Sequence, residues 1–283
     1  MLQTNSMKKI LVPTDFSATA KNAAFYAFKL AEQLHAEEVI LYHGYQAPVN
    51  IDPMVPTVVM PDIDTLRASS EKALEHFKSV VCPFCEPGIT VSTLARYDHL
   101  GDGLDDICHE TGAALIVMGI TGAGILEEKL IGSNTLGVAE NGTVPVIIVP
   151  PKAVFTKIEE VMLACDFKKV VETTPVQPIK NILDTTGAKL FVLHVDHENK
   201  QWSADTPFES LMLDTLLYGY KPEYLFENNN NFVEAVNIVA LEKMVDLIIT
   251  IPKKHGLFEG LFHSSATKKL AYHSNVPIMM IHE

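Results

Sequence analysis

The chain repeats itself, and that repeat limits what it can fold into. A slide of 151 residues puts Asp15-Phe16 on Asp166-Phe167 and His43 on His194. A slide of 132 puts Ser133, Thr135 and Val144-Pro145 on Ser265, Thr267 and Val276-Pro277, so the second copy is 19 residues shorter in its middle. Solenoid units run roughly 20 to 50 residues. Copies of this length are folded domains instead, and 283 residues with 47% hydrophobic content supply two ordinary cores. The boundary is expected at Pro150-Pro151, a stiff pair that cannot continue a strand ladder, giving domains 1–151 and 152–283.

Each copy alternates short apolar runs with helical periodicity. In the first, runs at 10–12, 39–43, 91–95, 114–118 and 144–149 read as five strands. Between them Ala20, Ala23, Ala27, Leu30 and Leu34 fall at helical spacing behind a capping Ser17, and 62–81 and 104–110 read as further helices. The second copy has the same grammar at 161–164, a helix ending near Thr185, 190–195, 224–227, a helix over 232–244, 246–251 and 278–281. Continuous apolar strands separated by helices predict an α/β fold, with each domain a five-stranded parallel, Rossmann-like sheet covered on both faces. In such sheets ligands bind beyond the carboxyl ends of the strands, where the strand order reverses. Asp15, Gly44 and Gly119 all follow strands.

Gly119-Ile120-Thr121-Gly122, then nine residues, then Gly132-Ser133-Asn134-Thr135 is the motif that points to chemistry. A glycine lets backbone N–H groups approach a ligand and takes positive φ without strain. The second cluster precedes a helix-like run through Glu140, whose free N–H groups and dipole favour an anion. The spacing is neither the dinucleotide fingerprint nor a P-loop, since no Gly-Lys-Ser/Thr occurs.

That spacing resembles the nucleotide-binding signature of the universal stress protein family. The opening Met7-Lys8-Lys9-Ile10-Leu11-Val12-Pro13-Thr14-Asp15, the strand Val39-Ile40-Leu41-Tyr42-His43, the run Ile116-Val117-Met118-Gly119 and the closing Val144-Pro145-Val146-Ile147-Ile148-Val149 match one family domain in order and distance. The chain is identified as a tandem-domain member. The resemblance implies that Pro13, Thr14 and Asp15 line the adenosine end of a bound ATP, that Gly44 presents backbone to the adenine, and that Met118 packs on the nucleoside. It further implies that Gly119, Thr121, Gly122, Gly132, Ser133, Asn134 and Thr135 hold the phosphates. Ile120 and Ala123 stand where many members carry polar or basic residues, so phosphate holding would rely on dipoles and a divalent cation such as Mg2+. The alternative is that the glycines only permit tight turns and that Asp15 caps a helix.

In the second copy the motif is lost, because Gly119, Gly122 and Gly132 become Ile251, Lys254 and Ser264. Nucleotide is therefore expected in the amino-terminal domain alone. No Ser/His/Asp order, paired carboxylates or metal-ligand cluster marks a catalytic or metal site. The function that the resemblance implies is that of an ATP-binding regulatory protein of a stress response. A nucleotide-free scaffold and a slow ATPase stand beside it. Cys82-Pro83-Phe84-Cys85 follows a helix rather than opening one, which favours structural thiols over a redox pair or half of a zinc site.

A net charge of −13, from 35 acidic against 22 basic residues, argues against nucleic-acid and anionic-membrane partners. No apolar run approaches the roughly 20 residues of a spanning helix, and no secretion signal opens the chain. A cytoplasmic protein starting naturally at Met7 is expected. The apolar, proline-rich segment 46–64 is expected to be a lid or a dimer contact. The duplication predicts an intramolecular pseudo-dimer joined through the two closing strands, whose apolar edges would otherwise invite aggregation, with further homodimerisation open.

Overall fold

The structure, a computed structural model, describes residues 7–46, 62–98, 103–120, 142–196, 206–252 and 264–282. Its strands are β1 (Lys9–Pro13), β2 (Glu38–Tyr45), β3 (Thr90–Tyr97), β4 (Leu115–Gly119), β5 (Val146–Val149), β6 (Glu160–Ala164), β7 (Lys189–Asp196), β8 (Glu223–Asn228), β9 (Leu247–Thr250) and β10 (Ile278–Met280). They form one ten-stranded sheet in the order β3-β2-β1-β4-β5-β10-β9-β6-β7-β8. Every pairing is parallel except the central one, where Ile278, Met279 and Met280 of β10 run antiparallel to Ile148, Ile147 and Val146 of β5. Each run of five repeats the same doubly wound order, with the two copies meeting at their closing strands.

Helix α1 (Ala18–Gln33) shows how sequence dictates the layers. The Ser17 hydroxyl accepts from the Ala20 N–H at its start, and Ala20, Ala23, Ala24, Ala27 and Leu30 are buried. Alanines bring the helix backbone close to the sheet, while the fully buried Phe28 supplies about 1.5–3 kcal/mol of apolar burial. Helix α2 (Ile63–Val81) is capped by Asp62 and buries Leu74, Phe77 and Val81. Helix α3 (Leu104–Thr111) ends at Gly112 in the left-handed conformation.

After β6 the single expected helix is two, α4 (Val170–Thr173) and α5 (Val176–Thr186). Pro175 lies between them, where its missing N–H and its restriction on Thr174 interrupt the hydrogen-bond run. Helices α6 (Thr206–Leu216), α7 (Phe232–Glu242) and α8 (Ser264–His273) follow. Sequence periodicity did not signal α6, a helix that buries only Thr206 and Leu213.

The core divides by sheet face and not by copy. One buried cluster joins Val12, Phe28 and Val149 to Val161, Ile249 and Ile281. The other joins Leu11, Tyr42 and Met118 to Met162, Leu193 and Met280. The antiparallel β5–β10 pairing carries both clusters across the centre, which is why two separate cores do not form.

Side chains from both ends clamp the connection between β5 and β6. Asn22 Nδ2 donates to the Pro150 and Ala153 carbonyls at 3.2 and 3.0 Å, and Gln33 both donates to and accepts from the Ile158 backbone. From the other side the Asp246 carboxylate accepts from the Thr156 hydroxyl and from the N–H groups of Glu159 and Glu160. No described helix is long and apolar enough to cross a membrane.

Candidate functional site

The order β3-β2-β1-β4-β5 reverses between β1 and β4, and the parallel strands put all their carboxyl ends on one side. There the chain leaves β1 through Pro13, Thr14 and Asp15 and β4 through Met118 and Gly119, while Gly44, expected after the second strand, is the last residue but one of β2. The structure thus brings six of the twelve expected site residues to one sheet end. Thr121, Gly122, Gly132, Ser133, Asn134 and Thr135 lie outside the described residues, as does most of segment 46–64.

The turn after β1 is built by local hydrogen bonds. The Thr14 N–H donates to the Tyr42 carbonyl at 2.8 Å, extending the β1–β2 ladder by one step. The buried Thr14 hydroxyl accepts from the Phe16 N–H at 2.9 Å, and Asp15 Oδ1 accepts from the Ser17 N–H at 3.0 Å. Asp15 is therefore not the helix cap, a role that belongs to Ser17. It is exposed at the strand end and held in place through one oxygen. Phe16 stands at φ +67°, a conformation costing a side-chain-bearing residue about 1–2 kcal/mol. Its ring lies 4.5 Å from that of His43 and 5.9 Å from that of Phe77, contacts that offset the strain. His43 in turn shares a 2.8 Å hydrogen bond through Nδ1 with the Thr14 carbonyl, so β2 fixes the turn of β1.

Of the two described glycines of the site, Gly119 is demanded by the protein's own packing and Gly44 is closely fitted to it. A Cβ on Gly119 would stand 2.5 Å from the Thr19 carbonyl oxygen and 2.7 Å from its carbon, because the first turn of α1 rests on the end of β4. A Cβ on Gly44 would stand 3.0 Å from the Tyr42 hydroxyl and 3.1 Å from the Asp98 carbonyl oxygen. Tyr42 itself is fully buried, and its hydroxyl has no hydrogen-bond partner among the described residues. Burial, and secondarily the Asp98 charge, push that phenol up to about 12 while Arg96 pulls the other way, so it is a neutral hydroxyl.

Sequence reasoning passed over Tyr42. The available signal was a lone tyrosine ending an aliphatic run directly before His43-Gly44.

In the second copy the same turn follows β6. Phe167 again takes positive φ, +50°, Asp166 Oδ1 accepts from the Lys168 N–H, and His194 Nδ1 bonds the Cys165 carbonyl at 3.0 Å. After β9 the chain continues through the buried Ile251 in place of Gly119. Lys254, which stands for Gly122, lies outside the described residues.

Cys82 opens a short 3-10 turn, Cys82–Phe84, at the end of α2, and both Cys82 and Cys85 are free thiols. Burial raises both above the ordinary thiol value, which lowers their reactivity. Among the described residues no group of three or more His, Cys, Asp or Glu is gathered to hold a metal.

Comparison with known proteins agrees with the geometry. A sequence model of the universal stress protein family matches residues 7–150, and the chain belongs to that family. It is 30% identical over 144 residues to universal stress protein YxiE of Bacillus subtilis, covering 50% of this chain and 97% of that protein. A universal stress protein of Mycolicibacterium smegmatis is 23% identical over 296 residues and matches 99% of both chains. The crystal structure of a universal stress protein from Archaeoglobus fulgidus superposes with a TM-score of 0.71 at 20% identity, covering 99% of each chain, and so shares the fold from end to end.

Proposed function

We propose that this universal stress protein is an adenine-nucleotide-binding regulatory protein of a cytoplasmic stress response, with a single ATP site in its first copy. The carrying observation is the convergence of Pro13, Thr14, Asp15, Gly44, Met118 and Gly119 on one sheet end at the β1–β4 reversal, where α/β sheets take their ligands. Asp15, exposed at the end of β1, is the acceptor for a ribose hydroxyl. The phosphate-holding part, Thr121, Gly122, Gly132, Ser133, Asn134 and Thr135 with Mg2+, rests on the sequence motif. Residues 1–151 and 152–283 are read as two domains forming a pseudo-dimer. The repeated strand order and the antiparallel β5–β10 join support that reading.

A specific observation favours a second reading, that of a nucleotide-free scaffold. Gly44 and Gly119 are each explained without a ligand, by Tyr42, Asp98 and Thr19. Titration calorimetry of the full chain with Mg-ATP separates the two. One site per chain is expected; no binding establishes the scaffold, and two equivalent sites overturn the one-copy assignment.

A further inference from the structure

The register of the sheet sets Tyr42 in line with two residues of the proposed site. Pro13 pairs with Tyr42 across β1 and β2, and Leu11 pairs with Ile116 across β1 and β4, so two residues further on Pro13 stands level with Met118. Residues in register on parallel strands point to the same face, and Leu11, Tyr42 and Met118 belong to one buried cluster. Tyr42, Pro13 and Met118 therefore make a row across three adjacent strands, roughly 10 Å wide at the strand spacing of a sheet. The row lies at the carboxyl end of the sheet, where β1 and β4 reverse.

The Tyr42 ring runs along β2 towards its exit. Its hydroxyl lies 3.0 Å from where a Gly44 Cβ would be, a place that is also 3.1 Å from the carbonyl oxygen of Asp98, the residue after β3. A buried hydroxyl without a partner costs on the order of a lost hydrogen bond, and such a group in a native protein asks for an explanation. An otherwise aliphatic position would carry leucine without that cost, and the second copy has Leu193 there.

We propose that Tyr42 is a base-recognising residue of the nucleotide site, its hydroxyl donating a hydrogen bond to a ring nitrogen of the bound purine while Met118 and Pro13 give the apolar floor. This rests on the nucleotide reading above. The phenol keeps its proton throughout the physiological range, so the donor is permanent, and its hydroxyl lies close to the Gly44 backbone near the exit of β2. Satisfaction of the hydroxyl by the ligand accounts for a polar group that the free protein leaves unpaired.

Tyr42→Phe removes the hydroxyl and nothing else. Mg-ATP should bind the variant about fivefold to tenfold more weakly by calorimetry, one hydrogen bond's worth, while the thermal midpoint of the ligand-free variant stays equal or rises. Of the 1-, 3- and 7-deaza analogues of ATP, one should bind the wild-type chain more weakly by the same factor and be indifferent to Tyr42→Phe. Unchanged ATP affinity in the variant overturns the assignment while leaving nucleotide binding intact. A lowered ligand-free midpoint also overturns it, because the hydroxyl would then be structural. If the wild-type chain binds no ATP, the site reading itself fails and this inference with it.

Discussion

The two copies keep the same turn and differ in what stands beside it. After β1 and after β6 an Asp-Phe pair takes the same shape: the phenylalanine at positive φ, the aspartate accepting from the N–H two residues on, and a histidine bonded to the preceding carbonyl. The row across the strands is not kept. In the first copy it reads Tyr42, Pro13, Met118; in the second, on the same registers, Leu193, Ala164, Thr250. The buried hydroxyl has moved from one end of the row to the other, and neither hydroxyl has a partner among the described residues. The surroundings of the turn also differ. Phe167 packs among His194, Tyr224 and Phe226, whereas Phe16 packs against His43 and Phe77. The lesson is that the strand-end turn belongs to the fold. Ligand chemistry has to be sought in the residues that the duplication let diverge.

The largest break in the comparison falls at Gly119 and Ile251. Gly119→Ala puts a methyl into the α1 backbone at Thr19, which cannot yield without moving the helix. Overpacking of this kind should cost about 3 kcal/mol in urea denaturation. Ile251 already carries a side chain at the equivalent place and packs in the same cluster as Phe167 and Val170. A change at Gly119 within experimental error would show that the approach of α1 to β4 is looser than described. It would also return that glycine to the ligand.

Much of this was legible in the chain. The central strands were readable because they hold continuous apolar runs, as β1 and β4 do, and α1 because its alanines fall on one face behind Ser17. The location of Asp15, Gly44 and Gly119 at one sheet end followed from their places after strands of a parallel sheet. The meeting of the two closing strands was expected from the duplication. The division of the core was not readable, because strand periodicity does not say that the clusters on each sheet face run on across the β5–β10 pairing. Nor was the Tyr42 hydroxyl, whose significance depends on register with Pro13 and Met118. The break at Pro175 was written in the sequence but outweighed by helical periodicity on both sides.

His43 and His194 provide a smaller contrast, read through pH. His43 is half-buried at the strand end, while His194 is buried with its Nε2 unpartnered among the described residues. Burial holds His194 below its ordinary value of 6.5, and Lys168 adds to this, against the opposing pull of the Cys165 carbonyl, Asp196 and Asp166. The sign follows directly: below pH 6.5 the unfolded chain takes up a proton that the folded chain refuses. Stability is therefore lost as pH falls, by about 1.4 kcal/mol per pH unit until the folded value is reached. In His194→Leu this loss is absent. The stability of the variant relative to wild type should rise as pH drops from 7.5 to 5.5, and a difference that stays flat over that range would exclude His194 as the titrating group.

The smallest effect concerns Thr250, the orphaned hydroxyl of the second row. Thr250→Val exchanges the Oγ1 for a methyl of the same shape at a buried position where the hydroxyl has no described partner. Removing an unsatisfied polar group without opening a cavity should stabilise the chain by about 1 kcal/mol, a rise of about 2–4 °C in thermal midpoint. The control is Thr14→Val at the equally buried end of β1, where the hydroxyl accepts from the Phe16 N–H. There the same exchange leaves an N–H unpaired and should lower the midpoint by a similar amount. Opposite signs for the two valines would show that the Thr14 hydroxyl serves the turn while Thr250 is free of any structural duty. If Thr250→Val also lowered the midpoint, Thr250 would be bonded in solution and the contrast with Tyr42 would lose its second member.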